Sequence, residues 1–191
     1  MKNMLMLSLC LLLAYTSQAQ NHSLHLLKSE VQWTGKAAFN AYALSGTIQL
    51  KSGTFKMEGE NISAATMVMD MPTLSSEMDQ LTHHLKSADF FEVNKYPEAT
   101  FVLSEIIVLK VGAQVATGLL TIKETVLPIG IPLDITREGE QWIIKGQTMI
   151  DRTAYGIKFN SPSYFEKLKD QAIADEFELR FELVLAEGIA N

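Results

Sequence analysis

EFELRFELVL, residues 176–185, decides how the rest of the chain is read. Phe177, Leu179, Phe181, Leu183 and Leu185 alternate with Glu176, Glu178, Arg180 and Glu182. Successive side chains of a strand point to opposite faces, so this segment has one apolar and one wet face. The same period of two recurs upstream. Ile129, Ile131, Leu133 and Ile135 alternate with Gly130, Pro132, Asp134 and Thr136, and Val31, Trp33, Ala37 and Phe39 stand opposite Gln32, Thr34 and Lys36. Trp142, Ile144, Thr148 and Ile150 make a further face, and Met67, Met69 and Met71 alternate with Val68 and Asp70. Together with segments 46–50, 54–57, 100–109 and 118–122, the pattern predicts about eight strands.

Turn residues fall between these runs: Ser52-Gly53, Glu58-Gly59-Glu60-Asn61 and Glu138-Gly139. Connections this short leave no room for crossover helices, so neighbouring strands are antiparallel. The period of two breaks twice. Met78, Leu81 and Leu85 have helical spacing, and Ser76 with Asp79 has the form of a capping box, which predicts a short helix from Glu77 to Ser87. A second short helix is predicted from Pro162 to Lys169, with Ser161 as N-cap.

No repeat, linker or low-complexity segment divides the chain. A sheet with a continuous apolar face and no long helix to cover it has to close on itself. The expected fold is therefore all-β: one antiparallel eight-stranded barrel with one or two short helices. A barrel of that size is either filled by side chains or holds one slender ligand.

The start of the chain follows a different rule. MKNMLMLSLCLLLAYTSQAQ has a positive Lys2, an apolar run from Met4 to Ala14 and a small-x-small Ser17-Gln18-Ala19. These are the three parts of a secretory signal peptide, read here as residues 1–19, with the barrel domain over 20–191. The run is shorter than the roughly 20 residues of a membrane-spanning helix. Bulky Leu9 before Cys10 argues against a lipid-attached cysteine. The expected location is periplasmic or secreted.

Cys10 is the only cysteine, so an exported mature domain depends on its core rather than on disulfides. Sixteen Lys and Arg against twenty-two Asp and Glu give −6, and loss of Lys2 makes it −7. Neither that balance nor any basic run favours nucleic acid or an anionic membrane surface. His83-His84 are adjacent, so on a helix they point about 100° apart and do not share a metal ion. Neither metal nor cofactor is expected. No Gly-x-Ser-x-Gly, phosphate-binding glycine loop or mature cysteine points to catalysis, although His84 and Asp151 are of types that can form an acid–base pair.

HLKSADFFEVNKYPEATF, residues 84–101, resembles the signature of the YceI-like family: a His-Leu-Lys segment, paired phenylalanines, Tyr-Pro, then a strand beginning with Phe. TGLLTIKETVLPIGIPLDI (117–135) and IDRTAYGIKF (150–159) resemble further segments of that family, in the family's order. Glu124 departs from the glycine usual in the turn there. The resemblance implies a lipocalin-like barrel, often exported, whose apolar channel holds a polyisoprenoid chain such as an isoprenoid quinone or polyprenyl phosphate.

On that basis Met67, Met69 and Met71 are expected to line one wall with flexible, polarizable side chains, with Ile144 on the apolar face of its own strand. Phe90, Phe91, Tyr96 and Phe101 are expected to close one end, though Phe90-Phe91 would serve equally as an anchor for the short helix. Arg152 near Tyr155 either pairs with a charge or carbonyl to hold the fold, or meets a ligand head group. The partner expected is a polyisoprenoid lipid or isoprenoid quinone. Transient membrane contact and a homodimer are compatible with this picture, and a structural or stress-related interaction protein with a filled barrel is the alternative.

Overall fold

The computed structural model describes residues 21–24 and 28–186. The segment read as a signal peptide, with Cys10, lies outside them. The strands are β1 (Asn21–Leu24), β2 (Glu30–Ala37), β3 (Ala43–Glu58), β4 (Asn61–Ser76), β5 (Glu98–Leu103), β6 (Ile107–Val108), β7 (Gly112–Ile122), β8 (Thr125–Glu138), β9 (Gln141–Asp151) and β10 (Ile173–Ala186). One α-helix, α1, spans Asp79–Lys86.

Every pairing is antiparallel, and β2, β3, β4, β5, β7, β8, β9 and β10 follow one another around a closed barrel in which β10 returns to β2. The two short strands add no new position. β1 continues β2: Ser23 pairs with both Ala186 and Thr54, as Val31 pairs with Phe181 and Ile48. β6 continues β5 along β4, with Ile107 opposite Ile62 and Phe101 opposite Met67. Closure leaves no long free edge.

The inward residues are largely those of the alternating pattern, with changes of parity where the register shifts; Phe39, expected on the inner face, lies beyond the end of β2 and is exposed. Ser52-Gly53, read above as a turn, lies inside β3, where a bulge falls between Leu50 and Ser52. The extra residue moves the inward set from Leu44, Gly46, Ile48 and Leu50 to Gly53, Phe55 and Met57. A slip of one residue without it would have turned Phe55 into water. Two other turn signals are turns: Glu58 pairs with Asn61 and Glu138 with Gln141, with Gly59 and Gly139 at φ of 64° and 62°.

The helix predictions need correction. α1 starts two residues later than expected, because Ser76 Oγ accepts the Met78 N–H (3.1 Å) and meets the Thr82 hydroxyl (3.3 Å) instead of capping toward Asp79. The expected helix over 162–169 is a set of turns. Phe165 N–H does reach the Ser161 carbonyl (2.9 Å), but Lys167 and Lys169 then take left-handed φ values of 64° and 48°, which a right-handed helix cannot continue through. Only a 3-10 turn, Lys169–Gln171, follows.

Two apolar clusters fill the barrel. The lower one, toward the Gly59 and Gly139 hairpins, contains Ile62, Ile135 and Leu185, each almost fully buried. The upper one contains Trp33, Met71, Leu85, Phe90 and Ile157 beneath α1. Gly46 is where β3 and β4 come closest around Trp33: a Cβ there would stand 1.8 Å from the Ser75 carbonyl oxygen. That same oxygen accepts the Trp33 indole N–H at 3.1 Å.

Candidate functional site

The upper half of the barrel encloses a cavity of about 280 Å³, and the lower half a second of about 90 Å³. Both are walled by Met69, Leu120, Ile150 and Leu179, so these four side chains form the waist between them. Each comes from an inward position of β4, β7, β9 or β10. The lining is mostly apolar: Lys36, Arg152, Gln171 and Glu176 reach the upper cavity, and Thr148 the lower.

The expected wall residues distribute along this axis. Met71 faces the upper cavity, Met67 the lower, and Met69 both. Phe101 and Ile144 line the lower cavity, and Phe90, Phe91 and Arg152 the upper. Two do not line either. Tyr155 is buried in the upper cluster. Tyr96 sits on the outer surface, where its hydroxyl donates to Glu124 and Lys95 stands 4.8 Å from its ring. Its proline neighbour turns the chain into β5, which carries Tyr96 out of the barrel while Phe101 points in.

The upper cavity is roofed by α1 and the segment after it. Leu81 and Leu85 face down from the helix, and Phe90 and Phe91 follow in turns closed by Phe91 N–H to Leu85 O (3.1 Å) and Val93 N–H to Lys86 O (3.1 Å). Phe90 packs against His84 (ring centroids 5.1 Å) and Phe159 (5.5 Å), and Phe91 meets Phe177 edge-on. Phe90 thus serves both expected roles at once: it anchors the helix and walls the cavity. Trp33, Leu74, Leu81 and Phe177 are not among the expected wall residues; alternation or helical spacing marks Trp33, Leu81 and Phe177 as apolar-facing, whereas Leu74 is off the parity of Met67, Met69 and Met71 and turns inward only through the shift of register within β4.

The roof is tied to the barrel through Lys123. Its Nζ donates to the Phe90 carbonyl (3.3 Å) and pairs with Glu92 (3.7 Å). Lys123, not Glu124, takes the left-handed conformation of the β7–β8 turn, with φ of 56°. Glu124 therefore needs none of glycine's freedom.

Among the described residues Arg152, just after β9, is the one strongly buried charge, 4% exposed. Its guanidinium donates to the carbonyls of Ala174 (3.0 Å), Ile157 (2.8 Å) and Ile173 (3.0 Å), and lies 3.8 Å from Asp175. Burial lowers its pKa from the usual arginine range, against the opposing pull of Asp175 and Asp151. An arginine remains protonated all the same. These bonds fasten the 152–157 turn to the start of β10. Asp151 faces elsewhere, accepting the Thr153 N–H (2.8 Å) and hydroxyl (2.6 Å).

Asp175 completes the network. Burial pushes its carboxyl up, but the hydroxyls of Ser161 and Ser163 and the Arg152 charge together hold it below the ordinary aspartate value. A carboxyl lowered in the fold stabilises it fully above the unfolded value of about 3.9, and that contribution disappears as pH falls through the lower folded value. Wild-type protein should lose stability below about pH 4, and Asp175→Asn should show a flatter acid limb in denaturant titrations. An unchanged limb in the variant would remove Asp175 from that role.

His83 is exposed on α1, while His84 packs its ring against Phe159 (4.6 Å) and points Nε2 at Asp89 (3.5 Å). His84 and Asp151, considered above as an acid–base pair, have separate partners. Among the described residues, no group of three or more His, Cys, Asp or Glu is placed to hold a metal ion.

A closed antiparallel barrel with an apolar axis, roofed by one helix at one end, defines a lipocalin-like architecture. The chain belongs to the YceI-like family, whose domain profile matches residues 23–185. It is 29% identical over 132 residues to a UPF0312 protein of Vibrio campbellii, covering 64% of this chain and 70% of that one. A UPF0312 protein of Shewanella sp. strain ANA-3 is 30% identical over 117 residues, 57% of this chain and 61% of its own. Among solved structures, BcnA of Burkholderia cenocepacia superposes with a TM-score of 0.69 at 24% identity, over 84% of this chain and 98% of that one. A polyisoprenoid binding domain from Saccharophagus degradans, described as implicated in plant cell wall breakdown, gives 0.67 at 14% identity over 87% and 98%. At these identities the structures support the fold.

Proposed function

We propose that the barrel holds one polyisoprenoid chain, such as that of an isoprenoid quinone or polyprenyl phosphate, for carriage or storage outside the cytoplasm. The observation that carries this is the pair of apolar cavities meeting end to end at the Met69 waist. Wall residues run from Ala172, just before β10, in the upper cavity to Leu183 of β10 in the lower. That is roughly 36 Å of strand and, at the usual barrel tilt, roughly 28 Å along the axis, which suits a long thin ligand. The family and the polyisoprenoid binding domain of S. degradans support the same chemistry. Export rests on the signal-peptide pattern of residues 1–19.

Burying one CH₂ is worth about 0.8 kcal/mol, so three isoprene units supply on the order of 10 kcal/mol before the costs of association and ordering. Micromolar or tighter binding then needs no strong polar contact. The lower cavity is the smaller, so a chain that reaches it has to displace flexible side chains such as Met67. Binding without catalysis fits the cavity, because the buried charge in its wall, Arg152, is engaged by three carbonyls.

Mass spectrometry of an organic extract of protein purified from its native host tests this. A prenyl lipid in stoichiometric amount is the expected result. A filled barrel, with a structural or stress-related role, would yield none.

A further inference from the structure

The exposed large aromatic side chains among the described residues are Phe39 (66%), Tyr42 (58%), Tyr164 (51%) and Phe165 (50%). Although far apart in sequence, all four lie at the upper mouth. Phe39 and Tyr42 are in the β2–β3 turn, which is closed by Ala37 N–H to Tyr42 O (2.9 Å) and joined to the opposite side by Ala38 N–H to Ala172 O (2.9 Å). Tyr164 and Phe165 belong to the 158–171 segment that runs into Ala172, itself held by Ile173 N–H to Asn160 O (2.9 Å). Tyr42, Gln171 and Ala172 also line the cavity, so the two segments that carry these aromatics border its opening.

Lysines are interleaved with them. Lys36, Lys158, Lys167 and Lys169 are exposed on the same two segments, and none makes an ion pair with a described residue. Elsewhere Lys51, Lys56, Lys95, Lys123 and Lys145 have a carboxylate partner, while exposed Lys28 and Lys110 have none among the described residues. Lys158 lies 4.2 Å over the Tyr164 ring, which sets a cation beside an aromatic at the surface. Among the described residues, Glu166 and Glu176 are exposed acids on these elements, and Glu77, Asp79, Asp89 and Asp151 are exposed elsewhere at the same end of the barrel.

We propose that the upper mouth docks on an anionic lipid bilayer, its aromatic rings entering the interface and its unpaired lysines meeting lipid phosphates. Aromatic residues with a flanking belt of lysine suit the membrane–water boundary, and each lysine near an anionic surface adds attraction. A mature chain with net charge −7 is repelled as a whole, so docking depends on this one rim turning toward the membrane. The inference rests on the lipid-holding function above: a prenyl chain leaving the cavity at a docked mouth passes into hydrocarbon rather than water.

Flotation with vesicles of phosphatidylcholine plus phosphatidylglycerol, and with phosphatidylcholine alone, tests the rim. Wild-type protein is expected to float with the anionic vesicles and to be released by salt. Lys167→Glu/Lys169→Glu and Phe39→Ser/Phe165→Ser should each lower the partition coefficient roughly tenfold or more, with thermal stability kept. Val115→Ser, on the exposed barrel wall, should change nothing. Docking is overturned if wild-type protein stays in the aqueous fraction, or if Val115→Ser loses as much as the rim variants. It is also overturned if the rim variants alter only the sedimentation mass, which would make the rim a contact between copies. Protein that carries no prenyl lipid yet floats upholds docking and overturns the lipid-holding function. Protein that carries lipid but does not float does the reverse.

Discussion

Arg152→Ala is expected to destabilise the fold by about 3–5 kcal/mol, the range for removing one partner of a buried charged network. Alanine leaves three carbonyls without a donor and strands Asp175, whose Oδ1 is buried and accepts no hydrogen bond even in the intact protein. It also removes the cation 5.8 Å from the Phe90 ring, beneath the roof of the cavity. Arg152→Lys should fall in between, since an ammonium cannot serve three spread acceptors as a planar fork does. Denaturant midpoints with unchanged slopes check this. If the alanine variant keeps wild-type stability while lipid retention falls, Arg152 is a head-group contact and not the pin between the 152–157 turn and β10.

Met69→Lys should abolish co-purification of a prenyl lipid, whereas Val68→Lys should leave it intact. Met69 is at the waist common to both cavities, and Val68 on the same strand faces out. A charge in the dry channel costs several kcal/mol whenever the chain has to pass it, and the same charge outside meets water. Because a buried lysine also threatens the fold, Met69→Phe belongs beside it. In a ligand channel the larger ring should shorten or exclude the bound chain with stability nearly kept. In a packed core it should cost roughly 1–3 kcal/mol by overpacking. Loss of stability in Met69→Phe, together with lipid-free wild-type protein, would leave a filled barrel.

Much of the barrel is legible because period-two alternation is a local property. The inward faces of β8, β9 and β10, and the methionine row of β4, follow from side chains pointing alternately, whatever the strands pair with. The hairpins at Gly59 and Gly139 follow equally from local turn chemistry. Met67, Met69, Met71, Phe101 and Ile144 face a cavity because each stands on the apolar face of its strand. The same alternation could not separate a cavity wall from a packed core, since the same side chains suit both.

What failed locally failed where a distant partner decides. Ser52-Gly53 has the composition of a turn, but pairing with Met67 and Val68 across β4 makes it a bulge. Pro162–Lys169 has a helix start, yet the chain must return so that Ile173 can bond Asn160, and left-handed turns at Lys167 and Lys169 bring it there. Tyr96 shares a short aromatic stretch with Phe91 and Phe101, but only barrel closure determines which of them faces inward.

The sequence by itself determined the antiparallel barrel and its family, because both are written in short-range alternation and contiguous motifs. Tertiary structure alone decided that Arg152 grips three carbonyls, that two cavities meet at Met69, and that exposed aromatics and lysines without an ion pair among the described residues come from distant segments to one end of the barrel. Each of these depends on groups distant in the chain being brought within a few ångströms, and no local pattern carries that information.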